Sequence, residues 1–205
     1  MKKPTSAAHR PATVRAPQEV RIIGGQWKRT PLAVSDRPGL RPTPARVRET
    51  LFNWLGQDLS GLRCIDAFAG TGALGLEAAS RGASEVVLVE QDADLIRSLS
   101  TVSTRLKASG VRIERGDGVA ALEKRQGQGW DLVFLDPPFG DDGNPALVQA
   151  ALRAARQALQ PDGEIYLEAP SPWSDEALQP LGLCVHRQGK AGAVAFHLLR
   201  PITAS

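Results

Sequence analysis

The fold is decided by the stretch Cys64-Ile65-Asp66-Ala67-Phe68-Ala69-Gly70-Thr71-Gly72-Ala73-Leu74-Gly75, in which an apolar run leads directly into a glycine-rich turn and a helix-forming segment. The glycines allow a tight turn, and the helix that follows offers its first amide groups to an anionic ligand. We therefore predict that this stretch is the first strand–turn–helix unit of an α/β sheet and part of a nucleotide-binding site.

The rest of the chain alternates apolar runs with segments of helical length. Strands are predicted at 63–68, 85–90, 111–115, 131–135 and 164–168, and helices at about 73–81, 92–108, 118–125 and 144–159. Near-continuous apolar strands separated by helices indicate a parallel sheet covered on both faces. Two final strands, 183–188 and 193–199, are joined too tightly to be parallel. The expected fold class is therefore α/β, a Rossmann-like S-adenosylmethionine methyltransferase fold with a mostly parallel seven-stranded sheet and an antiparallel C-terminal hairpin.

The chain upstream of this sheet predicts a small N-terminal appendage. Strands at 20–23 and 26–34 form an expected β-hairpin around two glycines. A helix then starts near Pro44, with Thr43 as its N-cap, and runs to Leu55. We expect three segments: a flexible basic tail at 1–19, an RNA-binding hairpin and helix at 20–60, and the methyltransferase domain at 61–205.

Acidic residues near the strand ends narrow the choice of ligand. Glu90 ends the second strand, where its carboxylate can accept the hydroxyl protons of a ribose. Asp66 can attract the amino group of a methionine moiety, a positive group that a dinucleotide lacks. Asp117 can receive the adenine amine, although a residue at that place is also a natural helix N-cap. Together with the turn glycines, these acids predict S-adenosylmethionine as the cofactor, bound by Asp66, Gly70, Gly72, Glu90 and Asp117.

The fourth strand opens into Asp136-Pro137-Pro138-Phe139. Ligands of an open parallel sheet lie beyond the carboxyl ends of its strands, so this tetrapeptide faces the same crevice as the glycine turn. The prolines remove two N–H donors, which leaves the Asp136 carboxylate and the Pro137 carbonyl as an acceptor-only site suited to an –NH₂ group. Accepting those protons frees the nitrogen lone pair for methylation, and Phe139 stacks on the base. We predict all four residues as catalytic.

The residues alone leave alternatives open. Methylation of adenine N6 in DNA, or of an amine in another RNA, would need nearly the same chemistry. A NAD-dependent oxidoreductase is supported only by the glycine turn, and a non-catalytic RNA-binding protein is disfavoured by the intact acids at 66, 90 and 136. Carbon methylation of a pyrimidine needs a cysteine nucleophile, and neither Cys64 nor Cys184 is placed for that role.

The charge distribution predicts a polyanionic partner. Residues 1–63 hold 12 Lys and Arg against 4 Asp and Glu, whereas the remaining chain holds 13 against 18. A basic segment joined to an acidic body is typical of nucleic-acid binding, and arginine and lysine contacts to phosphate make affinity fall with salt. The expected RNA-binding residues are Lys28, Arg29, Arg41, Thr43, Arg46 and Arg48.

These motifs together resemble the bacterial RsmD family. The resemblance rests on Arg21–Arg29, Leu40–Leu55, Asp66–Ala78 and Asp136–Phe139, and covers about residues 20–200. It implies methylation of guanine N2 at position 966 of 16S ribosomal RNA, in the assembled small subunit with its proteins. It also implies that Asp66, Gly70, Gly72 and Glu90 bind S-adenosylmethionine and that Asp136 to Phe139 hold guanine.

No apolar run approaches the roughly 20 residues that a membrane span needs. We expect no membrane association, a cytoplasmic location and a monomer. The two cysteines lie in apolar segments far apart in sequence, so they are expected to be buried free thiols, and no metal site is expected.

Overall fold

The computed structural model describes residues 19–34, 43–139 and 144–202. The strands are β1 Glu19–Arg21, β2 Pro31–Ala33, β3 Arg63–Asp66, β4 Glu85–Glu90, β5 Val111–Arg115, β6 Trp130–Leu135, β7 Leu159–Ala169, β8 Leu183–Ala191 and β9 Val194–Pro201. The α-helices are α1 Ala45–Trp54, α2 Gly75–Ser80, α3 Ala93–Leu106, α4 Gly118–Glu123, α5 Pro145–Ala158 and α6 Asp175–Leu178, and a 3-10 turn follows at Gln179–Leu181.

Strands β3 to β9 form one seven-stranded sheet in the order β5-β4-β3-β6-β7-β9-β8. The neighbours from β5 to β7 are parallel, whereas β9 runs antiparallel to both β7 and β8. The expected mostly parallel sheet with an antiparallel C-terminal hairpin is therefore confirmed. Strand order reverses between β3 and β6, and the carboxyl ends at such a switch point open into a ligand crevice.

Two hydrophobic clusters cover the two faces of the sheet. One packs α4, α5 and α6 against side chains such as Ile65, Val133 and Leu167. The other packs α1, α2 and α3 against the opposite face, where Phe134 and Tyr166 are fully buried. Apolar residues of the N-terminal hairpin and α1 belong to this second cluster, so the segment before β3 shares a core with the sheet.

The N-terminal hairpin is shorter than the sequence suggests. The returning strand expected at 26–34 is confined to Pro31–Ala33, because the preceding residues turn and bond elsewhere. The Gln26 amide donates to the Ser80 carbonyl at 2.8 Å, and the Trp27 amide donates to the Ser80 hydroxyl at 2.9 Å. Contacts to α2 therefore replace ladder bonds over this part of the hairpin.

Helix α1 begins one residue later than expected. Its N-cap is Pro44, with no side-chain cap, so the prediction of Thr43 as the N-cap is wrong. The hydroxyl of Thr43 donates instead to a buried glutamate on β7, a tertiary contact that the local sequence does not predict. The short helix α6 is a further element that the sequence pattern does not predict.

Neither cysteine is in a disulfide. Cys64 is buried in β3, as expected, but Cys184 on the outer strand β8 is only half-buried. No helix within the described residues is long and apolar enough to cross a membrane.

Candidate active site

Asp66 lies at the carboxyl end of β3 and is 1% exposed. Its Oδ2 accepts a hydrogen bond from the Gly75 amide at 3.0 Å. A glycine is needed there, because a Cβ on Gly75 would come within 2.2 Å of a Leu88 methyl carbon and 3.1 Å of the Asp66 Cβ. The close approach of α2 to β3 is what fixes this carboxyl group.

The second oxygen of Asp66, Oδ1, is buried and has no hydrogen-bond partner. Burial raises the pKa of Asp66 to about 7, and the charges of Glu90 and Glu168 add to the rise, while backbone amides of Gly75 and Phe68 oppose it. An unsatisfied buried carboxyl oxygen is costly unless a ligand supplies a donor. The site therefore fits a ligand with a cationic amine, such as the methionine moiety of S-adenosylmethionine.

Glu90, at the end of β4, holds the glycine turn in place. Its Oε2 accepts from the Gly70 amide at 2.8 Å, and its Oε1 accepts from the amides of Gln91 and Asp92 at 2.8 and 2.9 Å. Three of the roughly four lone-pair positions of a carboxylate are thus occupied by the backbone. Both turn glycines have positive φ, 52° at Gly70 and 78° at Gly72, a conformation that favours glycine.

Asp117 is exposed and caps α4. Its Oδ1 accepts from the Ala120 amide at 2.9 Å, and its Oδ2 accepts from the Gln91 side chain at 3.0 Å. The N-cap interpretation of this residue is therefore confirmed. Contact with an adenine amine stays a prediction.

The tetrapeptide Asp136–Phe139 follows β6 at the same edge of the sheet. Asp66 pairs with Phe134 on β6, so Asp136 lies two residues beyond that pair on the same face. Asp136 and Phe139 are half-buried, Pro137 is buried and Pro138 is exposed. Desolvation raises the pKa of Asp136 well above its usual range, and the nearby charges of Glu168 and Asp66 raise it further. The register thus brings the acidic group of β3 and the tetrapeptide together.

Glu168 is a site residue that the sequence analysis missed. It is 4% exposed near the end of β7, and β6–β7 register pairs Leu135 with Leu167, which places Glu168 beside Asp136. The Thr43 hydroxyl and the Tyr166 hydroxyl both donate to Glu168 Oε1, at 2.6 and 2.9 Å. A signal was available, since Glu168 closes an apolar strand at the carboxyl edge just as Glu90 does.

Three of the expected RNA-binding residues, Lys28, Arg29 and Arg46, are exposed. Arg41 lies outside the described residues. Thr43 is 3% exposed and points at Glu168, so its prediction as an RNA contact is wrong.

Arg48 also has to be reassigned, because only 1% of it is exposed. Its guanidinium donates to the carbonyl oxygens of Thr43 and Arg21 at 3.2 and 2.9 Å, and lies 3.4 Å from Glu77 Oε2. The expectation that Arg48 projects from α1 towards phosphate is therefore wrong. The N-terminal hairpin covers that side of the helix.

Glu77 on α2 is the centre of a buried clamp on the N-terminal hairpin. The amides of Ile23 and Gly24 each donate to one of its carboxylate oxygens at 2.7 Å. Arg81 donates to Oε1 at 2.9 Å, on the opposite side from Arg48. Two arginines and two backbone amides thus satisfy one fully buried carboxylate, which fixes the hairpin to the helix that follows the glycine turn.

No group of three or more His, Cys, Asp or Glu suited to a metal ion occurs in the part of the chain that the structure describes.

Comparisons with known proteins agree with this geometry. The family described as Conserved hypothetical protein 95 matches residues 20–200. The protein named ribosomal RNA small subunit methyltransferase D of Escherichia coli K12 is 38% identical over 191 residues, 88% of this chain and 89% of the relative. Its namesake from Haemophilus influenzae is 36% identical over 189 residues, 91% and 96% of the two chains.

Solved structures show the same fold. The structure of yhhF, a methyltransferase candidate of Escherichia coli, superimposes with a TM-score of 0.76 at 34% identity, covering 90% of this chain and 99% of that one. The structure of HI0767, a methylase candidate of Haemophilus influenzae, gives 0.72 at 32% identity, with coverage of 90% and 99%. The chain therefore belongs to the Conserved hypothetical protein 95 family, which is the RsmD family.

Proposed function

We propose that this protein transfers a methyl group from S-adenosylmethionine to N2 of a guanine in 16S ribosomal RNA, guanine 966, in small-subunit particles. The observation that carries the proposal is the juxtaposition of the tetrapeptide Asp136–Phe139 with the unpartnered oxygen of Asp66 at one sheet edge. The names of the relatives, ribosomal RNA small subunit methyltransferase D, support the choice of substrate.

The cofactor would be held by residues of β3, β4 and the turn between them. S-adenosylmethionine supplies a methyl group carried on a sulfonium sulfur. Asp66 Oδ1 would accept from the methionine ammonium, a charge-assisted hydrogen bond that also gives this oxygen its missing partner. Glu90 has about one lone-pair position left for a ribose hydroxyl. The exposed Asp117, which follows β5, would receive the adenine amine.

The target amine would be received by the tetrapeptide. The Asp136 carboxylate and the Pro137 carbonyl accept the two N–H protons of guanine N2, and Phe139 stacks on the ring to hold the nitrogen in line for attack. The carboxylate opposes the positive charge that develops on nitrogen and then takes one proton from it. Because Asp136 has a raised pKa, it binds that proton well once the amine has become cationic.

The exposed cations Lys28, Arg29 and Arg46 would contact RNA phosphates, and Arg41 joins this proposal from the sequence alone. Since Glu77 fixes the hairpin to α2, Lys28 and Arg29 lie at a defined position relative to the glycine turn. A monomer in the cytoplasm acting on the assembled small subunit is the simplest setting for such an enzyme.

The decisive experiment gives the protein tritiated S-adenosylmethionine with small-subunit particles, and separately with naked 16S RNA, from a strain that lacks the enzyme. We expect label in N2-methylguanosine from the particles. Label in N6-methyladenosine would favour the adenine alternative, which uses the same acceptor site. The absence of label from both substrates would refute the proposal.

A further inference from the structure

Glu168 has no role in the chemistry described so far, yet its placement couples it to Asp136. The parallel register sets the two residues beside each other at the ends of β7 and β6, on the sheet face that α1 covers. Neighbouring strands lie about 4.8 Å apart, so the two carboxyl groups are neighbours. Only 4% of Glu168 is exposed, so its carboxylate does not contact the target amine directly. Any effect on the amine must pass through Asp136.

The hydrogen bonds around Glu168 favour its charged form. Thr43 and Tyr166 both donate their hydroxyl protons to the same oxygen, Oε1. Donors of this kind stabilise a carboxylate, and they lower the pKa of Glu168 against the larger opposing effect of burial. The Thr43 side chain also partly lowers the pKa of Asp136, so one residue from the start of α1 lies near both acids.

The other ionisable groups around the pair are of both signs. Within the described part of the chain, acidic groups outnumber basic ones here, and the residue that pairs with Glu168 from β9 is the neutral Phe196. Those with an electrostatic influence on Glu168, on Asp136 or on their immediate neighbours are Asp66 on β3, Glu90 on β4, Tyr166 on β7 and Arg48 on α1. Among the described residues, Arg48 is the cation that influences Tyr166, and its guanidinium donates to two backbone carbonyls and lies beside Glu77.

We propose that Glu168 is a positioning residue of the methyl-transfer centre: in its carboxylate form, which the hydrogen bonds from Thr43 and Tyr166 stabilise, it makes Asp136 a stronger acceptor for the proton that leaves the target amine. The inference rests on the proposed function. As the nitrogen–methyl bond forms, the carbon–sulfur bond breaks and its electron pair stays on sulfur. The nitrogen then loses one proton, which passes to the Asp136 carboxylate and afterwards to solvent. A negative charge on the adjacent, buried Glu168 makes that transfer to Asp136 more favourable.

The test is the pH dependence of a single turnover. Protein saturated with S-adenosylmethionine is mixed with small-subunit particles lacking the modification, and label in the RNA is followed from about pH 5.5 to about pH 9, a range that spans the raised pKa expected of a buried carboxyl group. In Glu168→Gln the amide oxygen still accepts from Thr43 and Tyr166, but the charge is gone. We expect the acid limb of the rate profile to move down by about one pH unit or more, and the plateau at high pH to fall at least about threefold.

Three further variants separate this role from a purely structural one. Glu168→Asp restores the charge and should return the acid limb towards that of the wild type. Tyr166→Phe removes one donor to Glu168 and should shift the limb in the same direction as Glu168→Gln, by less. Glu164→Gln is the matched control, because Glu164 lies on the same strand but pairs with Arg200 outside the site, and its profile should match the wild type.

An acid limb that stays in place in Glu168→Gln, whatever its plateau, overturns the inference. If that variant does not fold, as judged by its thermal unfolding, Tyr166→Phe decides in the same way. Failure of the proposed function looks different, because the wild-type protein itself would then leave the particles unlabelled.

Discussion

Replacing Asp66 with Asn tests the electrostatics of the site through stability alone, before any ligand is added. The carboxyl is buried and its pKa is raised from 3.8 to about 7, mainly by desolvation. The folded protein therefore keeps this proton up to about pH 7, whereas the unfolded chain releases it near pH 4. The stability that the protonated group contributes is fully present below about pH 4 and is lost progressively as the pH rises through about 7.

The size of the effect follows from the two pKa values. The difference between 3.8 and about 7 corresponds to about 4 kcal/mol, of which about 3 kcal/mol is lost between about pH 5 and about pH 8. Asparagine has no such titration. Its side-chain oxygen can still accept from the Gly75 amide, although its NH₂ group would occupy the place of the unpartnered oxygen at a cost of roughly 1–3 kcal/mol.

Urea unfolding of the cofactor-free protein at several pH values between about 5 and about 8 measures the difference. From about pH 5 to about pH 8, we expect the free energy of unfolding of Asp66→Asn to rise by about 3 kcal/mol relative to that of the wild type. At about pH 5 the variant should be no more stable than the wild type, and at about pH 8 it should be the more stable of the two. The exposed Asp162→Asn serves as the control and should follow the wild type. A difference between Asp66→Asn and the wild type that does not change with pH would refute the reasoning.

Three more predictions concern the remaining parts of the site. Asp136→Ala should abolish turnover with cofactor affinity nearly unchanged, as measured by calorimetry and the label assay; a comparable fall in cofactor affinity would show that Asp136 belongs to the other half of the crevice. Arg48→Ala should lower the free energy of unfolding by about 3–5 kcal/mol in urea melts, because it breaks a buried ion pair with Glu77. Lys28→Ala combined with Arg46→Ala should leave stability unchanged and weaken RNA binding. The slope of log affinity against log salt concentration should become shallower by about one for each phosphate that the variant no longer binds. An unaltered slope would show that these residues do not contact RNA.

Much of the sheet was predictable because its signals are local. The apolar strands, the glycine turn and the acids that follow the strands lie in short continuous stretches, and parallel register alone brings Asp66 and Asp136 to one edge. The position of β9 between β7 and β8 could not be predicted from the hairpin sequence, because the sequence does not indicate which hairpin strand pairs with β7.

The errors fall where tertiary contacts override local pattern. In α1 the buried residues include Arg48, which was expected to contact RNA, beside the apolar Leu51 and Phe52. A guanidinium is buried there only because Glu77, 29 residues later, lies beneath it. Thr43 was misassigned for the same reason, because its partner Glu168 is 125 residues away.

The Glu77 clamp joins the N-terminal hairpin to α2, so the hairpin is not a separately tethered segment. Glu77 belongs to α2, which follows the glycine turn, and it also binds the backbone of the hairpin. The exposed cations of the hairpin are therefore held at a fixed distance from the glycine turn. Under the proposed function, substrate choice would depend on a constant distance between a bound RNA phosphate and the base that is methylated. Protein engineering that aims to change the target site would therefore have to exchange the hairpin, α1 and α2 as a single block. A hairpin grafted without its glutamate would lose the hydrogen bonds that fix its position.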